Sequence, residues 1–183
     1  MKEIEVKVKI NNRKEILDKL KELGCTFSEP KLQNDIIFVP AGFTLGQDLK
    51  KGINFLRIRK SNNKIIFTLK QPQSNELDCI EKEIEINDAE IMADIIKLLG
   101  YQEAVRVNKT RIEIKYQDYT ICIDQVDGLG DFIETERLID ETLDQDADKV
   151  QEASLVFLES IGVDITHRQD KGYDTLMYIK NNS

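Results

Sequence analysis

The sequence holds a single histidine, His167, set in a polar stretch near the end of the chain. Chemistry that turns on histidine, such as a catalytic triad, has almost nothing to work with. Cysteine is scarce as well. Cys25, Cys79 and Cys122 are odd in number, widely spaced and form no C-x-x-C pair. That argues against a cysteine metal site, and fits reduced thiols buried as small hydrophobes in a cytoplasmic protein. No apolar run approaches the ~18 residues a membrane span needs. "MKEIEVKVKI" alternates like a strand and lacks the apolar stretch of a signal peptide. There is no polybasic tract, and the net charge is −8, so neither nucleic acid nor an anionic membrane is an expected partner. No G-x-x-x-x-G-K-[ST] loop and no G-x-G-x-x-G turn occurs, so any phosphate must be gripped by side chains.

What the chain has in plenty is charge. Charged residues make up 33% of it, against a usual share of ~25%. At 183 residues it is long enough for one domain, 1–183, with a proper core. Residues 3–10 alternate as a strand, and "NNRKEILDKLKELG" follows with Ile16, Leu17, Leu20 and Leu23 at helical spacing. Asn12 suits the helix start and Gly24 its end. A strand over 32–39, a loop over 40–52, then "INFLRIRK" and "KIIFTLK" joined across Asn62-Asn63 complete the first half.

The order then restarts. "CIEKEIEI" reads as a strand, and "NDAEIMADIIKLLG" as a helix from near Asn87 to Gly100. Alternating stretches follow at 103–116, 119–127 and 131–138. Ile10-Asn11 answers to Ile86-Asn87, and Leu23-Gly24 to Leu99-Gly100. Each half is strand, helix, strand, strand, strand. A helix over about 145–161 and a tail that adds a short strand or closes over an end finish the chain. The expected class is α+β: a closed antiparallel eight-stranded β-barrel in two pseudo-repeated halves, with helices packed outside.

The strand faces separate by chemistry. One set carries Glu3, Glu5, Lys7 and Lys9; Arg57 and Arg59; Thr68 and Lys70; Glu81, Glu83 and Glu85; Lys109, Arg111, Glu113 and Lys115; Asp124; and Glu134 and Glu136. The other set is aliphatic, and amphipathic helices outside the barrel can cover it. The charges then line a tunnel, where each needs a partner because desolvation is expensive. A polyanion and divalent cations would serve. Arginine and lysine suit phosphate oxygens, and carboxylates suit Mg²⁺ or Mn²⁺.

"EIEVK", "LRIRK", "TLKQP", "EKEIE", "NKTR" and "IDQVDGLGDFIETE", met in this order, resemble the CYTH superfamily of triphosphate tunnel metalloenzymes. The family includes class IV adenylyl cyclases, thiamine and inorganic triphosphatases and fungal-type RNA triphosphatases. "QNDIIF" and "GLGDFIETE" look most like the class IV adenylyl cyclase branch. The resemblance implies Glu3, Glu5, Glu134 and Glu136 as metal ligands, with Mg²⁺ or Mn²⁺ as the cofactor. It implies Lys7, Arg57, Arg59, Lys70, Lys109 and Arg111 as the triphosphate clamp. Glu5, Lys7 and Asp124 would be catalytic, Asp124 by orienting water or a neighbouring base. Glu83, Glu85, Thr68 and Tyr173 would support the site. Ile37 stands where the family often has tyrosine, Glu81 where arginine is common, and Gly172 where serine precedes the tyrosine. The implied reaction converts ATP to cyclic AMP and pyrophosphate. Hydrolysis of inorganic, thiamine or nucleoside triphosphate, or non-catalytic binding of polyphosphate or nucleotide, would use the same lining. The segments 40–52 and 71–78 are expected at the tunnel mouth, and a homodimer is compatible with all of these readings.

Overall fold

The computed structural model describes residues 2–47, 52–117, 119–139 and 147–183, the side chains of residues 2, 3, 138, 139 and 147 excepted. The first half runs β1 (Lys2–Ile10), α1 (Arg13–Glu22), a two-residue β2 (Thr26–Phe27), β3 (Lys31–Pro40), β4 (Phe55–Ser61) and β5 (Lys64–Pro72). The second runs β6 (Asp78–Ile86), α2 (Ala89–Leu98), β7 (Tyr101–Tyr116), β8 (Tyr119–Val126) and β9 (Gly130–Ile139). Then come α3 (Ala147–Ser160), a two-residue β10 (Arg168–Gln169) and α4 (Tyr173–Asn181). The expected tail delivers both of its alternatives, a short strand and an end closure.

Eight long strands pair antiparallel in the order β1-β6-β5-β4-β3-β7-β8-β9, and β9 returns to β1 from Lys2↔Ile139 to Ile10↔Asp131. The sheet is a closed barrel, which removes its edges. Exchanging β1 with β6, β3 with β7, β4 with β8 and β5 with β9 preserves every neighbour in that order. The pseudo-repeat is therefore a pseudo-two-fold of the barrel. Asn34 of β3 faces Asn108 of β7, and their side-chain amides bond at 2.9 Å. Gly24 and Gly100 end the two helices alike, with φ of 73° and 86°, a left-handed turn that glycine enters without strain.

The helix starts differ from the expectation. Asp88, one residue beyond Asn87, is the true cap of α2, and its carboxylate accepts from the Glu90 and Ile91 N–H groups at 2.8 and 3.0 Å. Asn12 stands at the N-cap of α1 without capping it, because its amide donates to the Gly162 carbonyl at 3.3 Å instead.

The aliphatic strand faces look outward. Under α1 and α3 they join Val6, Val8, Ile10, Ile16, Leu20, Ile114, Ile121, Ile123, Ile133 and Leu158 in one core. Under α2 a smaller core gathers Phe38, Leu56, Ile58, Ala89 and Ile96. α2 leaves its own Ile91, Ile95 and Leu98 exposed, with Leu99 beyond it and Ile84 on β6. Among the described residues no helix is long and apolar enough to cross a membrane.

A third core plugs one end of the barrel. Tyr173 and Met177 of α4 pack there against Ile37, Val39, Leu45, Phe55, Val105, Val107, Val126 and Phe132. Leu45 belongs to the segment 40–52, of which 48–51 lie outside the described residues. The segment 71–78 sits at the same end, where the Gly172 N–H donates to Glu76 at 2.8 Å. Both were expected at the mouth, and both instead surround the plug. Their apolar members, Leu45 and Leu77, explain the difference, since both are buried. The open end lies opposite, at the Asn62-Asn63 turn of the β4–β5 hairpin, where Asn62 takes φ 52°.

Candidate functional site

The barrel encloses a cavity of about 400 Å³ lined by residues from most of its strands. One wall is built by β1, β9, β8 and β7. Register sets Glu5 opposite Glu136 and Lys7 opposite Glu134, while Arg111 faces Asp124. Lys7 Nζ lies 3.0 Å from Glu5 and 3.2 Å from Glu134, and donates to the Lys171 carbonyl at 3.3 Å. Arg111 forks onto Asp124 at 2.8 and 2.6 Å, reaches Glu136 at 2.9 Å and also pairs with Glu134. Lys109 Nζ donates to Asp124 at 2.9 Å. The Tyr173 ring lies 4.1 Å from Lys7 Nζ and 4.6 Å from Lys109 Nζ, close enough for cation–π attraction.

Proton affinities in this wall diverge. Burial first, then the negative charge of Glu134, pushes the Glu5 carboxyl up to about 8, against the pull of Lys7. Burial would raise Glu134 too, but Arg111, Lys7 and Lys109 hold it well below the ordinary range. Burial favours the neutral amine at Lys7, and Glu5 and Glu134 overcome it, so its ammonium is retained more firmly than usual. Burial and the neighbouring Arg111 lower Lys109.

The facing wall comes from β3, β4, β5 and β6. Arg59 makes a bidentate pair with Asp35, both bonds at 2.7 Å. Arg57 donates to Glu83 at 2.9 Å and to the Thr68 hydroxyl at 3.2 Å. Lys70 pairs with Glu81. Burial opposes ionisation of Asp35, and the two bonds from Arg59 outweigh it, leaving the carboxylate below its ordinary range.

The structure brings Glu5, Lys7, Arg57, Arg59, Lys70, Lys109, Arg111, Glu134, Glu136, Glu83 and Tyr173 to one cavity. The Glu3 side chain lies outside the described residues; its backbone pairs with Leu138 and Cys79. Asp124 is fully buried behind Lys109 and Arg111 and does not line the cavity. Thr68 is likewise behind Arg57 and Glu83. Glu85 stands exposed at the open end, paired with Lys64 at 2.8 Å. Lys9 and Lys115 are both exposed near the C-terminal ends of their strands, at opposite ends of the barrel.

Sequence reasoning sought partners for the cations in a bound polyanion, yet much of the pairing is internal. Asp35 and Glu81 went unused as partners of Arg59 and Lys70. Strand parity was the available signal, because Asp35 alternates with the inward Gln33 and Ile37, and Glu81 with Glu83.

A divalent cation suits this donor set. One oxygen each of Glu134 and Glu136 and the Cys122 sulfur lie within 4.8 Å of one another. Carboxylate oxygens match a hard ion such as Mg²⁺ or Mn²⁺. Burial pushes the Cys122 thiol well above its ordinary range, so it remains S–H and a poor ligand for such an ion.

A closed barrel whose inner walls both carry carboxylates beside arginine and lysine is a tunnel suited to a polyanion and a cation together. The CYTH domain family model matches residues 1–163, and the chain belongs to that family. It is 34% identical over 165 residues to a Methanocaldococcus jannaschii protein named as a candidate adenylate cyclase, covering 89% of this chain and 91% of that one. Among solved structures it is similar to the PH1012 protein of Pyrococcus horikoshii, with TM-score 0.78, 26% identity and coverage of 96% and 99%. A Hippeastrum protein, proposed as an adenylyl cyclase and described as having a dominant triphosphatase activity, shares the fold at TM-score 0.62 and 16% identity, with coverage of 100% and 96%.

Proposed function

We propose that this chain is a divalent-metal-dependent enzyme that draws ATP into its barrel and converts it to cyclic AMP and pyrophosphate. The observation that carries this reading is the pairing of walls across one cavity: Glu5, Glu134 and Glu136 face Arg57, Arg59 and Lys70. The relative named as a candidate adenylate cyclase, matched over nine-tenths of its length, supports the choice of reaction.

Glu5, Glu134 and Glu136, with Glu3, are the residues that would hold Mg²⁺ or Mn²⁺. Such an ion supplies charge neutralisation at phosphate oxygens and helps to activate the nucleophile. Arg57, Arg59, Lys70, Lys109 and Arg111 neutralise the phosphate chain and hold the reacting phosphorus in line. For Arg59 this means exchanging one oxyanion partner, Asp35, for another. Asp124 positions Lys109 and Arg111 from behind. The ribose 3′ oxygen attacks the α-phosphorus and the bridging P–O bond to the β-phosphate breaks. Pyrophosphate leaves, and the hydroxyl proton passes to a carboxylate of the Glu5 wall. The free thiols of Cys25, Cys79 and Cys122 support a cytoplasmic setting.

Hydrolysis is a second reading, favoured by the open mouth. Among the described residues its lining, with Lys31, Gln33, Arg59, Asn62, Lys64 and Glu113 among them, holds no aromatic ring on which a base could stack. The test incubates the protein with Mg²⁺ or Mn²⁺ and ATP, thiamine triphosphate or tripolyphosphate in parallel. Cyclic AMP with pyrophosphate is expected; ADP with free phosphate would establish hydrolysis instead, and no turnover of any of the three would overturn both readings.

A further inference from the structure

We infer that Gln33 is a ribose-reading residue at the open end of the tunnel, so that the substrate is selected by its sugar as well as by its phosphates. The inference rests on the triphosphate reading above and adds the group that binds next to the phosphate chain.

Gln33 lies on β3, directly opposite Lys109 of β7 on one side and Ser61 of β4 on the other. The residue is 5% exposed, and its Oε1 is buried without a hydrogen-bond partner. The Nε2 group donates to no described residue either, whereas its neighbours on the same face, Lys31 and Asp35, are both taken, by Glu113 and Arg59. A buried carbonyl oxygen left unpaired is costly, because folding strips its water and returns no donor. Such a group is retained where a ligand completes it.

Position decides which part of the ligand. The closed end is filled by Tyr173 and Met177, so the phosphate chain must run from the plug towards the Asn62-Asn63 turn. Gln33 stands two residues beyond the Asp35–Arg59 pair in that direction, a step of about 7 Å along a strand. It also lines the second cavity, of about 480 Å³, which shares Arg59, Glu83 and Glu113 with the first. The group that follows the α-phosphate of a nucleotide at this spacing is its ribose. The vicinal hydroxyls of ribose offer a donor and an acceptor side by side, the complement of a carboxamide. One hydroxyl donates to Oε1, and the other accepts from Nε2. With no aromatic platform among the described residues at the mouth, the base contributes little to selection.

The test measures binding by calorimetry with Mg²⁺ present, for the full chain and for Gln33→Leu, using ATP, GTP, 2′-deoxy-ATP, 3′-deoxy-ATP and tripolyphosphate. The wild-type protein is expected to bind ATP and GTP within about threefold of each other and the deoxy forms about tenfold more weakly. Gln33→Leu should weaken ATP about tenfold, remove the preference over the deoxy forms and leave tripolyphosphate within twofold. Melting temperature confirms folding, and Gln33→Met, equal in length, replaces the leucine variant if that one does not fold. Equal weakening of tripolyphosphate and ATP would assign Gln33 to the phosphate clamp and overturn the inference. So would unchanged ribose preference in either variant. A wild-type protein that binds tripolyphosphate but not ATP refutes ribose reading alone. One that binds none of them refutes the tunnel reading itself.

Discussion

The two inner walls of the barrel use the same residue types to opposite effect. On the wall of β1, β9, β8 and β7, Glu5, Lys7, Glu134, Glu136, Arg111, Asp124 and Lys109 join in one network. Arg111 serves three carboxylates, Lys7 serves two, and Asp124, with a fully buried side chain, serves two cations. On the wall of β3 to β6 the charges stand closer to simple pairs and closer to water, with Lys70 25% and Glu83 49% exposed. A shared, dry network fixes its groups in place, because moving one strands the others in a medium that penalises unpaired charge. A pair beside water can exchange partners at low cost. On the proposed reading the first wall holds the metal, and the water-exposed Lys70 and Glu83 of the second exchange partners when phosphate arrives.

The largest expected effect comes from breaking the first wall. Glu136→Gln removes one anionic oxygen donor and one partner of Arg111, and turnover should fall roughly a thousandfold, the loss of several kcal/mol of transition-state stabilisation. The melting temperature should move little, since Arg111 keeps Asp124 and Glu134. A variant that folds and turns over normally would remove Glu136 from the ligand set.

Proton competition gives the next effect. Glu5 holds its proton up to about 8 in the metal-free protein, and a ligand carboxylate must lose it. Affinity for Mg²⁺ or Mn²⁺ should therefore fall about tenfold for each pH unit below 8 and level off above it. Calorimetry between pH 6 and 9 checks this, and proton release on binding should appear in buffers of differing ionisation enthalpy. A flat profile would place the metal away from Glu5.

Arg57→Ala tests the second wall. It should weaken ATP and tripolyphosphate alike by ten- to a hundredfold, the range for a charge-assisted hydrogen bond. The Michaelis constant should carry most of the change and the turnover number little, in contrast to Glu136→Gln. An unaltered affinity would take Arg57 out of the clamp.

Much of this division is legible in the amino-acid sequence. Alternation of charged with aliphatic residues in "EIEVKVKI" and "EKEIEI" gives the strands and their inner faces, and the two Leu-Gly helix ends give the repeat. Pairing across strands is what the chain order conceals. Arg59 and Asp35 are far apart in the sequence and meet only through β3–β4 register, so their mutual neutralisation is a property of the fold. The plugged end was hidden for a similar reason. "GYDTLMY" gives little periodic signal in so short a stretch, and α4 becomes a plug only because Tyr173 and Met177 find Phe132 and Val126 at the barrel rim. Gln33 stood in the sequence as part of a resemblance to cyclases, but its unpaired amide is visible only in three dimensions.

The walls also differ in what supports them from behind, and this gives the smallest effect. α2 covers the second wall and is capped by Asp88, which takes two backbone N–H groups; α1 stands behind the first wall with no side-chain cap. Asp88→Ala should cost about 1 kcal/mol of stability, the usual value of a helix cap. Asn12→Ala should cost less, since it removes only exposed amide bonds to the Gly162 carbonyl and the Glu15 carboxylate. Denaturant melts of both variants compare the two halves at pseudo-equivalent positions. Equal losses would mean that Asn12 secures α1 through Gly162 as firmly as Asp88 secures α2, and the two helix starts would then be different solutions of equal strength. A larger loss at Asp88 would show that α2, which covers its wall without a companion such as α3, depends more on its own cap.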